Sequence, residues 1–246
     1  MCFNIWISVV MLSIGLIATL FFLRKKESFL LWLPILYFSI MEALQAVQYL
    51  YIGKCFLPEN QILTVVGAFH IAFQPLFINM FALYFIPKNI SRKILFPVFA
   101  LCIIGSSLLL VDIYPFEWAD KCIPGHHLIC GTNICTGYGD YHLTWEMPIN
   151  KFSNLPDLFI VGYIFTAFLL PFLYGSWKMN LFHIFMGPIF AMSITSNPIE
   201  WPIIWCLFSI GVLVIAFCTP LRNCFKVKKW YLWNYPKQKN RRKRKR

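Results

Sequence analysis

Seven stretches of this 246-residue chain are long, almost uncharged and apolar, and that repetition limits the available folds more than any other feature. Crossing the hydrocarbon of a bilayer takes about 20 mostly apolar residues in a helix. Runs of that kind occupy 3–23, 29–52, 61–86, 95–113, 156–176, 179–197 and 200–220. Only 13% of the residues are charged, against roughly a quarter in soluble domains. This excludes a disordered tail protein, a coiled coil and an ordinary cytosolic enzyme. The expected fold class is all-α, a polytopic transmembrane bundle with seven helices as the leading count. The first run has no basic n-region and no small-residue cleavage site, so it reads as a retained helix rather than a signal peptide. The run from Met179 to Ser196 is the weakest, being short and interrupted by Gly187-Pro188. If it only re-enters the membrane, six crossings remain and the C-terminus changes side.

Lys and Arg accumulate in cytoplasmic loops, whereas acids contribute little to orientation. With seven helices and the N-terminus outside, 19 of the 22 basic residues fall on the inner side, leaving Lys54, Lys121 and Lys151 outside. Without the tail, the inner loops still lead by seven to three. Eight of the ten acids lie on or beside the outer face. The chain thus divides into a bundle over 1–224, with an outer cap loop at 114–155, and a basic, aromatic cytoplasmic tail over 225–246. No internal repeat of the kind found in many transporters is visible.

On this topology Cys55, Cys122, Cys130 and Cys135 lie in outer loops. Four cysteines allow three pairings, and the outer face is the oxidising side. The preferred arrangement joins Cys55 to a cysteine of the cap, pinning the cap to the second and third helices, while the other two close a short ring. A competing metal reading uses Cys122, His126, His127, Cys130, Cys135 and His142, which carry suitable ligand atoms. Their spacing matches no known zinc ribbon or finger, so neither a metal nor a cofactor is expected.

Ionisable groups within hydrocarbon are costly and point to function by default. Glu42 in the second run and His70 in the third fall at nearly the same depth on consecutive antiparallel helices, counting 1.5 Å per residue. Gln45 shares a helix face with Glu42, and Gln74 shares one with His70. Asn79 lies further inward, and Pro75 is positioned to kink the helix beside Gln74. A Glu–His pair at one depth suits a proton relay, a cation site or a cradle for a polar head group. The alternative is interhelical glue, worth around 1 kcal/mol per contact. His183 is assigned a structural role near the inner face, and Trp201 and Trp205 are assigned to an interfacial aromatic belt.

Eight of the last ten residues are basic: Lys237, Lys239, Arg241, Arg242, Lys243, Arg244, Lys245 and Arg246. Next to a membrane helix such a cluster attracts anionic lipid head groups. The bilayer and those head groups are therefore the expected partners, ahead of nucleic acid. A microbial rhodopsin would need a Lys in the last helix, and 200–220 has none. The acidic-Arg and Asn-Pro-x-x-Tyr signatures of G-protein-coupled receptors are also missing. So are the several helix-borne His of ceramidase-like and adiponectin-receptor-like hydrolases.

Met41-Glu42 with Gln45, Gln74-Pro75 with Asn79, and Glu200 with Trp205-Cys206 resemble recurring features of uncharacterised multi-pass membrane proteins of bacteria and large DNA viruses. That resemblance covers most of the helical region and implies no activity. It points to the same Glu42–Gln74 region. The leading expectation is a small transporter or receptor-like binder engaging a polar ligand or proton through Glu42, Gln45, His70, Gln74 and Asn79. The alternative is a membrane scaffold whose cap and tail bind partners. An enzyme ranks third, because the helices present no nucleophile–base pair and no complete metal set.

Overall fold

The computed structural model describes residues 4–124, 129–152, 158, 160–205 and 208–234. The chain is mostly helical. Four helices among the described residues are long and apolar enough to cross a membrane: α1 (Ile5–Arg24), α2 (Phe29–Tyr51), α3 (Pro58–Leu83) and α4 (Lys88–Ile113). Twenty residues at 1.5 Å each give about 30 Å, one hydrocarbon thickness. Asn4 caps α1 by accepting from the backbone of Trp6 and Ile7, and Ser28 caps α2 by accepting from Leu30. Large apolar side chains such as Trp6, Ile17, Ile62 and Phe96 stand exposed on these helices. In water they would be a liability; in lipid they are the expected surface.

The three later runs are broken into shorter pieces, unlike the continuous helices expected for 156–176, 179–197 and 200–220. A π-helical segment, Ile160–Leu169, leads into α5 (Leu170–Leu173). Next come α6 (Trp177–Ile184), a second π-helical segment, Phe185–Ile189, and α7 (Phe190–Ile194). The interruption at Gly187-Pro188 is a change of helical pitch, because Pro188 supplies no N–H to the ladder. The chain continues through α8 (Trp201–Ile204), α9 (Phe208–Phe217) and α10 (Thr219–Phe225). Helix α4 begins seven residues before the apolar run at 95, since Lys88 to Ile94 form its amphipathic entry. Small residues let backbones meet: a Cβ on Gly105 would lie 2.6 Å from the carbonyl oxygen of Gly162, so α4 and the first π-helical segment touch directly.

The loop from 114 to 155 folds over one end of the bundle. Strands β1 (Asp120–Lys121) and β4 (Asn150–Lys151) pair antiparallel, as do β2 (Cys135–Tyr138) and β3 (Leu143–Glu146). Cys55 is bonded to Cys135 and Cys122 to Cys130. The first disulfide ties β2 to the α2–α3 turn and the second closes a nine-residue ring (separation 8). All four cysteines being consumed, the mixed Cys/His metal set is overturned; His126 and His127 lie outside the described residues. Among those residues no cluster of three metal-binding side chains occurs.

Hydrogen bonds seat the cap. Asn60 Nδ2 donates to the carbonyls of Tyr51 and Thr136, and the Thr136 N–H returns a bond to Asn60 Oδ1. The Thr64 and Thr136 hydroxyls pair at 2.7 Å. Trp145, fully buried, inserts between α2 and α3 and donates to Gln48 Oε1 at 3.1 Å. Gly67 makes room for it, since a Cβ there would sit 3.1 Å from the indole.

The other end is closed by the chain after α10. Val227 N–H donates to the Phe85 carbonyl, and Arg222 pairs with Glu27 at 3.3 Å. Strands β5 (Lys229–Trp230) and β6 (Trp233–Asn234) form a hairpin whose indoles donate to the carbonyls of Leu173 and Tyr174, both at 3.0 Å. The tail boundary drawn at 224/225 thus falls before a hairpin packed on the bundle. The basic run 237–246 lies outside the described residues.

Replacing Asn60 with Leu leaves the buried Thr136 N–H without an acceptor, at a cost of about 2–3 kcal/mol. The expected result is a lower Tm in detergent for Asn60→Leu. Asn133→Ala, which removes only an exposed 3.4 Å bond to Thr132, should leave Tm unchanged.

Candidate functional site

The polar residues singled out by depth all lie in the bundle, on three different neighbours. Glu42 faces α1 and α9: the Ser8 hydroxyl donates to its carboxylate, and Val212 and Leu213 stand beside it. The void at this carboxylate is about 10 Å³, room for one water and no more. Gln45, one turn on, is buried. His70 faces α2, its ring stacked on Tyr37 with centroids 3.9 Å apart and planes 12° from parallel. The Tyr37 hydroxyl donates to the His70 carbonyl, while His70 Nε2 is buried without a partner. No hydrogen bond or ion pair joins Glu42 to His70; matched depth did not bring them face to face, because they leave their helices on different sides.

Gln74 and Asn79 turn to the first π-helical segment and α5. The Tyr163 hydroxyl donates to Gln74 Oε1 at 2.6 Å. Asn79 Nδ2 donates to the carbonyls of Pro75 and Thr166, and its Oδ1 accepts from the Tyr174 hydroxyl at 3.1 Å. The bond to Pro75 stays within α3, one turn back, while the bond to Thr166 crosses helices. Tyr163, Thr166 and Tyr174 were not singled out from the sequence, although their spacing of three and then eight places them on one helical face. That stripe of polar residues in an otherwise apolar run was the available signal.

Beside the Gln74–Tyr163 pair lies a cavity of about 180 Å³. Ile71, Ile164, Pro188, Met192 and Trp205 form much of its wall. Ile164 and Met192 are also exposed on the bundle surface. Gln74 and the Tyr163 phenol stand in the cavity wall bonded to each other, and the surface it offers is almost wholly hydrocarbon. Trp205 is held in place by donating to His183 Nε2 at 3.0 Å, and Phe168 stacks on the His183 ring at 4.5 Å. His183, expected near water at the inner face, is instead 1% exposed, and Trp205 lines the interior rather than a surface belt. Both shifts follow from the broken run 179–197, which brings α6 and α8 close enough for the two side chains to bond.

A second polar cluster lies under the β2–β3 turn. Glu200 is fully buried; its Oε1 accepts from the Asp140 N–H and its Oε2 has no partner. Nearby, His142 Nδ1 accepts from the Leu143 N–H at 2.8 Å and lies 3.4 Å from the Tyr49 hydroxyl. Burial pushes the His142 imidazole down from 6.5 to about 4. The folded state therefore holds it neutral while the unfolded chain takes up a proton near 6.5. Its contribution is intact above pH 6.5 and is lost as pH falls towards 4, by up to about 3 kcal/mol. Thermal stability is expected to decline over that window, and to decline less in His142→Gln, which has no proton to take up.

No curated protein and no solved structure matches this chain. A family model matches residues 6–226, from the first turn of α1 to the end of α10, and on that match the chain belongs to DUF5765, a family of unknown function.

Proposed function

We propose that the chain crosses the bilayer seven times, with the N-terminus outside and the C-terminus inside, as a receptor-like binder of a small apolar molecule. The alternation of helix ends supports the crossings. Residues 27, 82–85, 176 and 222–227 are joined at one end by Arg222–Glu27, Ser176 Oγ to the Ala82 carbonyl, and Val227 N–H to Phe85. Residues 51–60, 111–114 and 200 meet the cap at the other, through Asn60, through Asn150 to the Val111 and Tyr114 carbonyls, and through Glu200. The broken runs then count as crossings because their breaks are bridged inside protein. The basic residues collect at the Arg222 end and the disulfides at the cap end, which supports the orientation.

The cavity of about 180 Å³ beside Gln74 carries the binding reading. An apolar cavity of about 150 Å³ is enough to hold a benzene-sized ligand. The almost wholly hydrocarbon surface of the cavity beside Gln74 suits a small apolar molecule, one that partitions into lipid. Transport of a polar solute past Glu42 has less support, given the one-water void there.

A second reading, a membrane scaffold with the polar groups as glue, is favoured by one observation: the cap is seated by the Cys55–Cys135 disulfide and several hydrogen bonds and is tied internally by Cys122–Cys130, as suits a rigid display surface.

Indole fluorescence titrated with p-cresol and with toluene tests the binding reading. Saturable quenching with toluene bound more tightly than p-cresol, and loss of both ligands in the cavity-filling Met192→Trp, are expected. If neither probe saturates while cap-dependent partner capture persists, the scaffold reading stands. Orientation is checked at the exposed free thiol of Cys224 in a Cys2→Ser background. A membrane-impermeant maleimide should label it only after the cells are opened; labelling on intact cells reverses the topology.

A further inference from the structure

A further cavity belongs to none of the groups above. It is a cleft of about 320 Å³ at the tail end of the bundle, where α2 begins, α3 ends and α4 begins. Its floor includes Leu83, Ile86 and Val227, all buried. Lys88, Lys226 and Lys228 stand around it, with Ser28 and Ser91 between them.

We infer that this cleft holds the phosphate-bearing head group of an anionic phospholipid, with the glycerol and upper acyl chain against its apolar floor. Four observations converge. First, the N-terminus of α4 opens here with Pro87 at the cap position, which has no side chain to accept from the first N–H groups. Such an end attracts an anion through both its free donors and the helix dipole. Second, Ser91 lies one turn inside, is 4% exposed and lines the cleft, yet its hydroxyl makes no hydrogen bond among the described residues. Third, the positive charge is not neutralised locally. Glu27, the acid at this end, is taken by Arg222, and Lys88 and Lys228 meet no carboxylate among the described residues. Fourth, the segment carrying Lys226 and Lys228 is fixed in place by the Val227–Phe85 bond, so the lysines are presented by folded chain rather than a loose tail.

Phospholipid is a better occupant than free phosphate for two reasons. The cleft lies at the level of helix ends, where head groups sit, and most of its wall is hydrocarbon, which a small inorganic anion leaves unfilled. The site depends on the orientation proposed above only for the choice of leaflet, and does not depend on the outer cavity having a ligand. It is also separate from the polybasic run 237–246.

The test is native mass spectrometry of the full chain with phosphatidylserine or phosphatidylcholine. One phosphatidylserine per chain should be retained in preference to phosphatidylcholine. Lys88→Gln combined with Lys228→Gln should weaken that retention by roughly 30-fold, taking each lysine at its usual worth near an anionic surface. Ser91→Val should also weaken it while leaving Tm unchanged. A full-length chain with the eight basic residues of 237–246 replaced by Gln should keep the site. The inference falls if phosphatidylcholine is retained equally, or if the tail replacement abolishes retention and the Lys88/Lys228 pair does not. It falls also if inorganic phosphate at millimolar concentration displaces the lipid, which would make this a free-anion site.

Discussion

Carbonyls at the ends and breaks of helices are the demand that the rest of this structure is arranged to meet. The last four carbonyls of every helix lack intrahelical donors, and in hydrocarbon no water supplies them. Here side chains from distant segments do so. Asn60 takes the Tyr51 carbonyl at the end of α2, and Asn150 takes those of Val111 and Tyr114 at the end of α4. Ser176 takes Ala82 at the end of α3, and Trp230 and Trp233 take Leu173 and Tyr174 at the end of α5. These bonds, together with Cys55–Cys135, decide where the cap and the hairpin after α10 come to rest. Both closures are consequences of helix ends needing donors.

The same economy separates polar residues that are structural from those left with something to bind. Asn79 is committed to two carbonyls and a phenol, and Gln48 to the Leu63 carbonyl and the Trp145 indole. Glu42 is engaged by Ser8 with space for one water. Gln74 differs: it is bonded to Tyr163, yet the pair borders a cavity large enough for a small molecule. At the opposite end, Ser91 and the start of α4 border a cavity ringed by lysines. The bundle thus has two candidate binding places of contrasting chemistry, one almost wholly apolar and one cationic over an apolar floor.

Much of the architecture was legible in the chain. Long uncharged runs forced helices, and Cys55, Cys122, Cys130 and Cys135 announced a covalently tied cap because all four fall in the connections between those runs. The pairing itself was not legible, since four cysteines leave three choices and only the position of β2 against the α2–α3 turn selects Cys135 for Cys55. Depth could be counted along α2 and α3, and the count puts Glu42 and His70 near one level. Azimuth could not, because it depends on how each helix is rotated against neighbours far away in sequence. His70 accordingly stacks on Tyr37 while Glu42 turns to Ser8.

By itself, then, the order of residues determined that the chain is helical, apolar on its outside and basic at one end, since these follow from composition along short windows and from the cost of charge in lipid. Tertiary structure alone decided that Trp205 points inward to His183, that Gln74 meets Tyr163 beside a cavity, and that the segment carrying Lys226 and Lys228 folds back over the start of α4. Each of those joins residues from separate segments. Their meeting depends on helix rotation, on the π-helical breaks and on which donor reaches which open carbonyl, quantities that no local pattern encodes.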